Sequence, residues 1–234
     1  MTRARGFLPA SLLPASLLIL LLLASGAQAR ERRHAAPVGE AGQFDYYMLS
    51  LSWSPSYCAT RSNPDADPGQ CGNGRRLGFV LHGLWPQYDK GYPQSCSTAQ
   101  LPDNVRAKYA GLYPSPSLID HEWPKHGTCS GLAPAAYFDL SAKLKNSLQI
   151  PSAYRQPAAP VRVTYSDFTR AFQSANPALA SNAVLPFCTR GGEFLQEIRV
   201  CYDKNGASQS CAPQELKRSH SSCGQPSFLL RSVR

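Results

Sequence analysis

The sequence predicts one α+β domain over residues 43–234, stabilised by disulfides. Three observations predict it. Strand-like alternation and helical periodicity occupy separate segments of one chain. No linker or shift in composition divides those segments. Eight cysteines, an even number, offer a framework of cross-links. At 43% hydrophobic and 17% charged residues the chain is globular rather than disordered. Its 17 glycines and 20 prolines are scattered without a period, which excludes collagen-like, coiled-coil and low-complexity chains.

The N-terminus comes first. Arg3 and Arg5 precede an apolar run over residues 15–24, and small residues follow, ending in Ala27-Gln28-Ala29. A basic start, a short apolar core and an A-x-A site read as a secretory signal peptide over residues 1–29. A run of ten residues is too short to anchor the chain, since a bilayer span needs about 20. The processed chain is expected to be exported, to the periplasm or the medium, where disulfides persist. No second apolar span follows, so no membrane association is expected. Residues 30–42 are charged and small, and read as a flexible tail.

The next elements follow in order. Residues 44–54 read as a strand, with Tyr47, Leu49, Leu51 and Trp53 alternating with smaller or polar residues. Residues 63–74, rich in Pro, Asp, Asn and Gly, read as a loop. Residues 78–82 form a short strand stopped by Gly83 and Pro86, and residues 87–97 another loop. A helix is expected over 135–149, where Tyr137, Leu140, Leu144 and Leu148 recur at spacings of three and four. Ser166 is expected to cap a helix through Asn176. Residues 194–202 alternate as a strand with Phe194, Ile198, Val200 and Tyr202 on one side. Asp203-Lys-Asn-Gly206 then offers a hairpin turn, across which Cys201 and Cys211 are close enough to bridge. The other pairings stay open at this point.

Three of the five histidines fall in two dense segments, Phe79-Val-Leu-His82-Gly-Leu-Trp85-Pro-Gln87 and His121-Glu-Trp-Pro-Lys-His126-Gly-Thr-Cys129. A lone His82 at a strand end would read as a half-buried histidine with a satisfied ring. His121, Glu122, Lys125 and His126 change that reading, because they gather two imidazoles, a carboxylate and an ammonium. A solvated face explains Glu and Lys four apart, but not two histidines beside Trp123 and a cysteine. On a helix, His121–Lys125 and Glu122–His126 are adjacent pairs. Pro124 restrains Trp123 away from helical angles, so the segment is expected to be helical only from about Trp123, or to bend there.

Metal chemistry is not expected. His-Glu-x-x-x-His is one residue longer than the zinc motif, ligands at i and i+5 diverge by about 140° on a helix, and Lys125 occupies the second ligand's place. A nucleophilic Cys129 is disfavoured by the even cysteine count. Two imidazoles with a carboxylate and a lysine fit phosphoryl transfer. Cleaving RNA without a metal needs a base for the 2′-OH, an acid for the departing 5′-oxygen, and cations beside the phosphorane oxygens. Imidazole titrates near neutrality and can fill either proton role.

At these two segments the chain resembles the ribonuclease T2 family. His82-Gly-Leu-Trp-Pro86 matches that family's first active-site segment, and His121-Glu-Trp-x-Lys-His-Gly-Thr-Cys129 its second, with Pro124 at the variable place. The two lie about 40 residues apart in an eight-cysteine chain, and the resemblance covers about residues 43–230. It implies a central antiparallel sheet flanked by helices. It implies endonucleolytic cleavage of single-stranded RNA through 2′,3′-cyclic phosphates to 3′-phosphate ends, with no metal or other cofactor. By motif position, His126 resembles the base and His82 the acid, while Glu122 and Lys125 resemble groups that stabilise the transition state. His121 resembles the histidine that holds the substrate phosphate, and Trp85 a stacking platform for a base. The implied pairings are Cys58–Cys71, Cys96–Cys129, Cys188–Cys223 and Cys201–Cys211. Gln87 stands where some adenine-preferring members carry Asp, which points to broad base preference, with Tyr92 as the partner aromatic.

Charge is compatible with such a substrate. The formal net charge is +9, and loss of Arg3 and Arg5 with the signal peptide would leave +7, which suits a polyanion. The basic residues are spread along the chain without a long run. A catalytically idle member that binds RNA or another polyanion is the competing reading, and the presence of His82, Glu122, Lys125 and His126 together weighs against it. The protein is expected to be a monomer.

Overall fold

The chain runs β1 (Tyr46–Trp53), α1 (Ser54–Ala59), α2 (Pro68–Cys71), β2 (Phe79–Gln87), α3 (Asp103–Tyr109), α4 (Pro116–Lys125), α5 (Pro134–Ser147), α6 (Ser152–Arg155), β3 (Val161–Val163), α7 (Tyr165–Ala175), β4 (Val184–Cys188), β5 (Leu195–Tyr202), α8 (Pro213–Ser222) and β6 (Phe228–Leu230). This is a computed structural model in which residues 1–2 and 39–233 are described. The expected signal peptide, beyond Met1 and Thr2, and residues 30–38 of the expected tail lie outside the described residues. Gly42, assigned to the tail from sequence, is held: its N–H donates to the Cys129 carbonyl at 2.9 Å.

An antiparallel sheet in the order β2–β1–β5–β4 forms the centre, and β3 pairs with β6 in a second, two-stranded sheet. The fold is α+β. Strand β1 is buried on both faces, which its serines at 50 and 52 disguise in the sequence. One face carries Tyr47, Leu49, Leu51 and Trp53 into the main core, with Tyr137 and Phe138 of α5 and Phe168 and Phe172 of α7. Each such fully buried apolar side chain is worth about 1.5–3 kcal/mol. The other face carries Tyr46 and Met48 into a smaller cluster with Leu185, Phe187 and the Cys201–Cys211 bridge. Among the described residues no helix is long and apolar enough to cross a membrane.

Several local expectations are corrected. Strand β2 does not stop at His82 but runs on to Gln87. Pro86 is tolerated because β2 is an edge strand, where a missing N–H need not break a ladder. Gly83 does not end the strand either; it sits at a bulge. Ser50 pairs with Gly83 and Leu51 with Leu81, so His82 is the extra residue. Helix α4 begins at Pro116 and contains Pro124. Pro124 falls in the last turn, where its ring costs one bond and the helix ends one residue later. Helix α7 is capped by Thr164, whose side chain accepts from the Asp167 N–H, and Ser166 lies inside it. The loop expected at 63–74 contains a 3₁₀ turn at Pro64–Ala66 and the short α2. Past the turn at Asp203, the return arm makes a single bridge, Tyr202 to Ser208, rather than a strand.

The disulfides are Cys58–Cys71, Cys96–Cys129, Cys188–Cys223 and Cys201–Cys211. Cys96–Cys129 ties the loop after β2 to the segment following α4. Beside it, the Ser95 N–H donates to the Lys125 carbonyl at 2.8 Å. These cross-ties fix the end of α4 against the loop after β2.

Candidate active site

Edge strand β2 and the C-terminal turn of α4 meet at a cleft of about 190 Å³. Every residue singled out from the sequence lines it: His82, Trp85 and Gln87 from β2, Tyr92 from the following loop, and His121, Glu122, Lys125 and His126 from α4 and its end. Packing explains the approach. Ile119 and Trp123, one turn apart on α4, enter the main core, and the Trp123 indole N–H donates to the Ala99 carbonyl at 2.8 Å. Tyr137 of α5 donates its hydroxyl to the Leu84 carbonyl at 2.7 Å and holds β2 from the core side.

Trp85 touches both imidazoles, with ring centroids 5.0 Å from His82 and 5.3 Å from His126. Its indole N–H donates to Glu122 Oε2 at 2.9 Å, and the Arg199 guanidinium lies 5.5 Å from the centre of its ring. Glu122 is fully buried, and its second oxygen has no protein partner. Gln87 is also buried, its amide donating to the Pro86 carbonyl, whereas the Tyr92 ring is exposed 6.3 Å from His126.

Sequence reasoning missed a second layer. Met48, Arg199 and Arg218 also line the cleft. Behind His82 lies Glu197 of β5, its Oε2 3.5 Å from His82 Nδ1. Glu197 Oε1 accepts from Arg199 at 2.7 Å, Arg199 reaches Glu215 at 3.0 Å, and Glu215 pairs with Arg218. The available signal was two charged residues at alternate positions of a mostly apolar strand, which sets both on one face and requires partners for them.

The family description "Ribonuclease T2 family" matches residues 44–211, most of the chain and both histidine segments. The chain belongs to the ribonuclease T2 family. It is 42% identical over 201 residues to a ribonuclease of Aeromonas hydrophila, covering 84% of this chain and 89% of that one. Its fold is similar to an RNase-related protein from Calystegia sepium, with TM-score 0.63, 21% identity and coverage of 82% and 98% of the two chains. It is also similar in fold to a mutant of RNase MC1 solved with 5′-GMP, with TM-score 0.57, 22% identity and coverage of 71% and 92%. This T2 chain is therefore an endoribonuclease, and its cleft is the place to look for the chemistry.

The T2 cleft divides its ionisable groups sharply. Burial pushes the Glu122 carboxyl up to about 7, against the opposing pull of His82, Trp85 and Lys125. Burial also lowers His126, and with Lys125, His121 and His82 nearby brings it to about 2. His121 is lowered by burial and by Lys125. His82 moves the other way: burial lowers it, but Glu197 and Glu122 outweigh that and raise it. For Glu197 the cost of burial is exceeded by His82 and Arg199, leaving it at about 2.

Glu122 carries a stability consequence. Its folded value lies above its unfolded one, so its stabilisation is complete below about pH 4.5 and is lost as pH rises through about 7. Glu122→Gln in this T2 enzyme should leave urea stability near that of the wild type at about pH 5. At about pH 8 it should raise stability by about 3 kcal/mol. Equal stability of the two proteins at about pH 8 would mean that the carboxylate carries no burial penalty.

One geometric expectation is overturned. His121, Glu122 and His126 bring nitrogen and oxygen atoms within 4.8 Å of one another, although i and i+5 diverge on a helix. Helix α4 ends at Lys125, and His126 is its C-cap, with a φ of −115° that departs from the regular helical value of about −63°. Lys125 nevertheless acts on all three as a positive charge, which opposes a dication at that spot.

Proposed function

We propose that this ribonuclease cleaves single-stranded RNA by metal-independent transphosphorylation, with His126 as base and His82 as acid. The observation that carries the reading is the opposite displacement of two imidazoles that share one cleft beside Trp85. A base must start neutral, and His126 is held neutral by burial first and then by Lys125, His121 and His82 around it. An acid must start protonated, and His82 is favoured in that form by Glu197 and Glu122.

His126 takes the proton of the ribose 2′-OH, and that oxygen attacks the phosphorus. The bond from phosphorus to the 5′-oxygen breaks, and His82 delivers its proton to the leaving oxygen. The product is a 2′,3′-cyclic phosphate. Water then opens it with the two proton roles exchanged, giving a 3′-phosphate. Lys125 offsets the charge that builds on the phosphorane oxygens. Glu122, half-protonated near neutrality, can donate a hydrogen bond to one of them from its unpartnered oxygen. His121, partly exposed beside Lys125, faces the same phosphate. Trp85, half-buried at the cleft with Arg199 5.5 Å from its ring centre, offers aromatic surface on which a base can stack. Gln87 and Tyr92 flank that position, carry no charge and support broad base preference. The structural neighbour RNase MC1 was solved as a mutant with 5′-GMP, a nucleotide and so of the same ligand class.

The leader-like N-terminus and four disulfides, with no free cysteine, support export as a secreted or periplasmic enzyme acting as a monomer. The test is direct. Purified protein in excess chelator is expected to cut single-stranded RNA at an undiminished rate, with early products ending in 2′,3′-cyclic phosphate. Activity abolished by chelation overturns the metal-independent reading, and retention of RNA without cleavage at any pH favours the idle binder.

A further inference from the structure

We propose that Glu197 is a positioning residue for the reaction, fixing the ring and proton of His82 so that Nε2 faces the leaving oxygen. The proposal rests on His82 acting as the acid, and it goes beyond the two sequence segments that supply the other groups.

The geometry begins with the bulge. His82 is the extra residue of β2 opposite Ser50, so no regular ladder position fixes its side chain. Its Nδ1 is buried and makes no hydrogen bond in this unliganded site, and Glu197 Oε2 lies 3.5 Å away. A contact of that length in an unliganded site shortens with a small ring rotation when substrate arrives. With Nδ1–H turned to Glu197, the tautomer is set and Nε2 is the nitrogen left for the substrate.

Glu197 is itself fixed. It sits in the central strand β5, almost fully buried, and Ser50 Oγ donates to the same Oε2 at 3.2 Å. Arg199 holds the other oxygen through two nitrogens, both at 2.7 Å. A carboxylate in the middle of a sheet costs several kcal/mol to desolvate. Arg199 does not require it as its sole counter-ion, because Glu215 of α8 already accepts from the same guanidinium. Beyond Ser50 and Arg199, the group Glu197 faces is the His82 imidazole.

The charges around His82 come from three elements. Strand β5 presents Glu197 and Arg199, and α4 with its end presents Glu122, His121 and His126. Helix α8 contributes Glu215 and Arg218, which act through Arg199. Removing the Glu197 charge leaves Glu122 as the remaining anion acting on the ring. The protonated fraction of His82 then falls at neutral pH.

The test uses leaving groups. A dinucleoside phosphate expels an alkoxide that must be protonated, whereas a p-nitrophenyl ester of uridine 3′-phosphate expels a phenolate that needs no acid. Glu197→Gln is expected to lower kcat on the dinucleoside phosphate by about 10–100-fold with little change in KM. The alkaline limb of its pH profile should move to lower pH, and the loss on the aryl ester should be at least about tenfold smaller. His82→Ala, run in parallel, should show the same selectivity at larger amplitude. If His82→Ala is selective and Glu197→Gln loses equally on both substrates, or loses nothing on either, the role of Glu197 is overturned and the acid assignment stands. If His82→Ala itself loses equally on both, the acid assignment falls and takes the proposal with it. Should Glu197→Gln not fold, the C2 proton of His82 followed by NMR in the unaltered protein decides: titration above the ordinary imidazole range supports the contact, and titration at or below it overturns the proposal.

Discussion

His126→Ala is expected to lower kcat on single-stranded RNA by about 10²–10⁴-fold while the protein keeps its fold. The first half follows from its place: it is the imidazole held neutral at the cleft, beside Trp85 and Lys125. The second half follows from its bonding. Its Nδ1 has no partner in the structure, so truncation strands no donor or acceptor. A pH series gives an independent check. Because the folded value lies far below the unfolded one, stability associated with His126 is complete above about pH 6.5 and is lost as pH falls toward about 2. The Ala variant should escape that loss, so its urea midpoint should fall less than the wild type's between about pH 6.5 and 4. Near-normal turnover, or a midpoint that falls in parallel with the wild type, would contradict the assignment.

Gly83→Ala should be almost as damaging to activity, through a residue with no chemistry of its own. A methyl group at this position would overlap the Glu122 carboxylate and the Trp85 indole nitrogen. Glu122 has no room to yield, since it is fully buried and already accepts from that nitrogen. The added carbon must therefore displace the Glu122–Trp85 pair, and the Trp85 ring packs 5.0 Å from His82 and 5.3 Å from His126. A displacement of about 1 Å costs about 10²-fold in rate, and overpacking costs about 1–3 kcal/mol of stability. Steady-state kinetics with a melting curve checks both; wild-type kcat/KM for Gly83→Ala would show that the cleft tolerates a spread of its central ring.

The sequence made much of this legible because the chemistry sits in two short, local runs. His82 with Trp85, and His121 through His126, declare themselves by density of function. Strand β1, strand β5, helix α5 and the Cys201–Cys211 bridge were legible because each depends on residues a few positions apart. The rest depends on distant pairing. Glu197 and Arg199 interrupt the apolar side read for β5 only by facing the other way, and their partners are 115 and 16 residues from them in sequence. Met48 looks like core until the second face of the sheet is known, and Arg218 is one of many scattered basic residues. Pro124 misled for a different reason: its cost depends on how many turns follow it, and here none does.

The extra residue in β2 has one more consequence, which is a matter of parity. Up to the bulge, odd-numbered Leu81 points into the core; beyond it, even-numbered Leu84 does. In an unbroken strand His82 would share a side with Leu84, and Trp85 and Gln87 would share one with Leu81. A single inserted amino acid therefore brings an imidazole from one phase of the strand together with an indole and an amide from the other, and the hydrophobic interior gives up nothing to allow it.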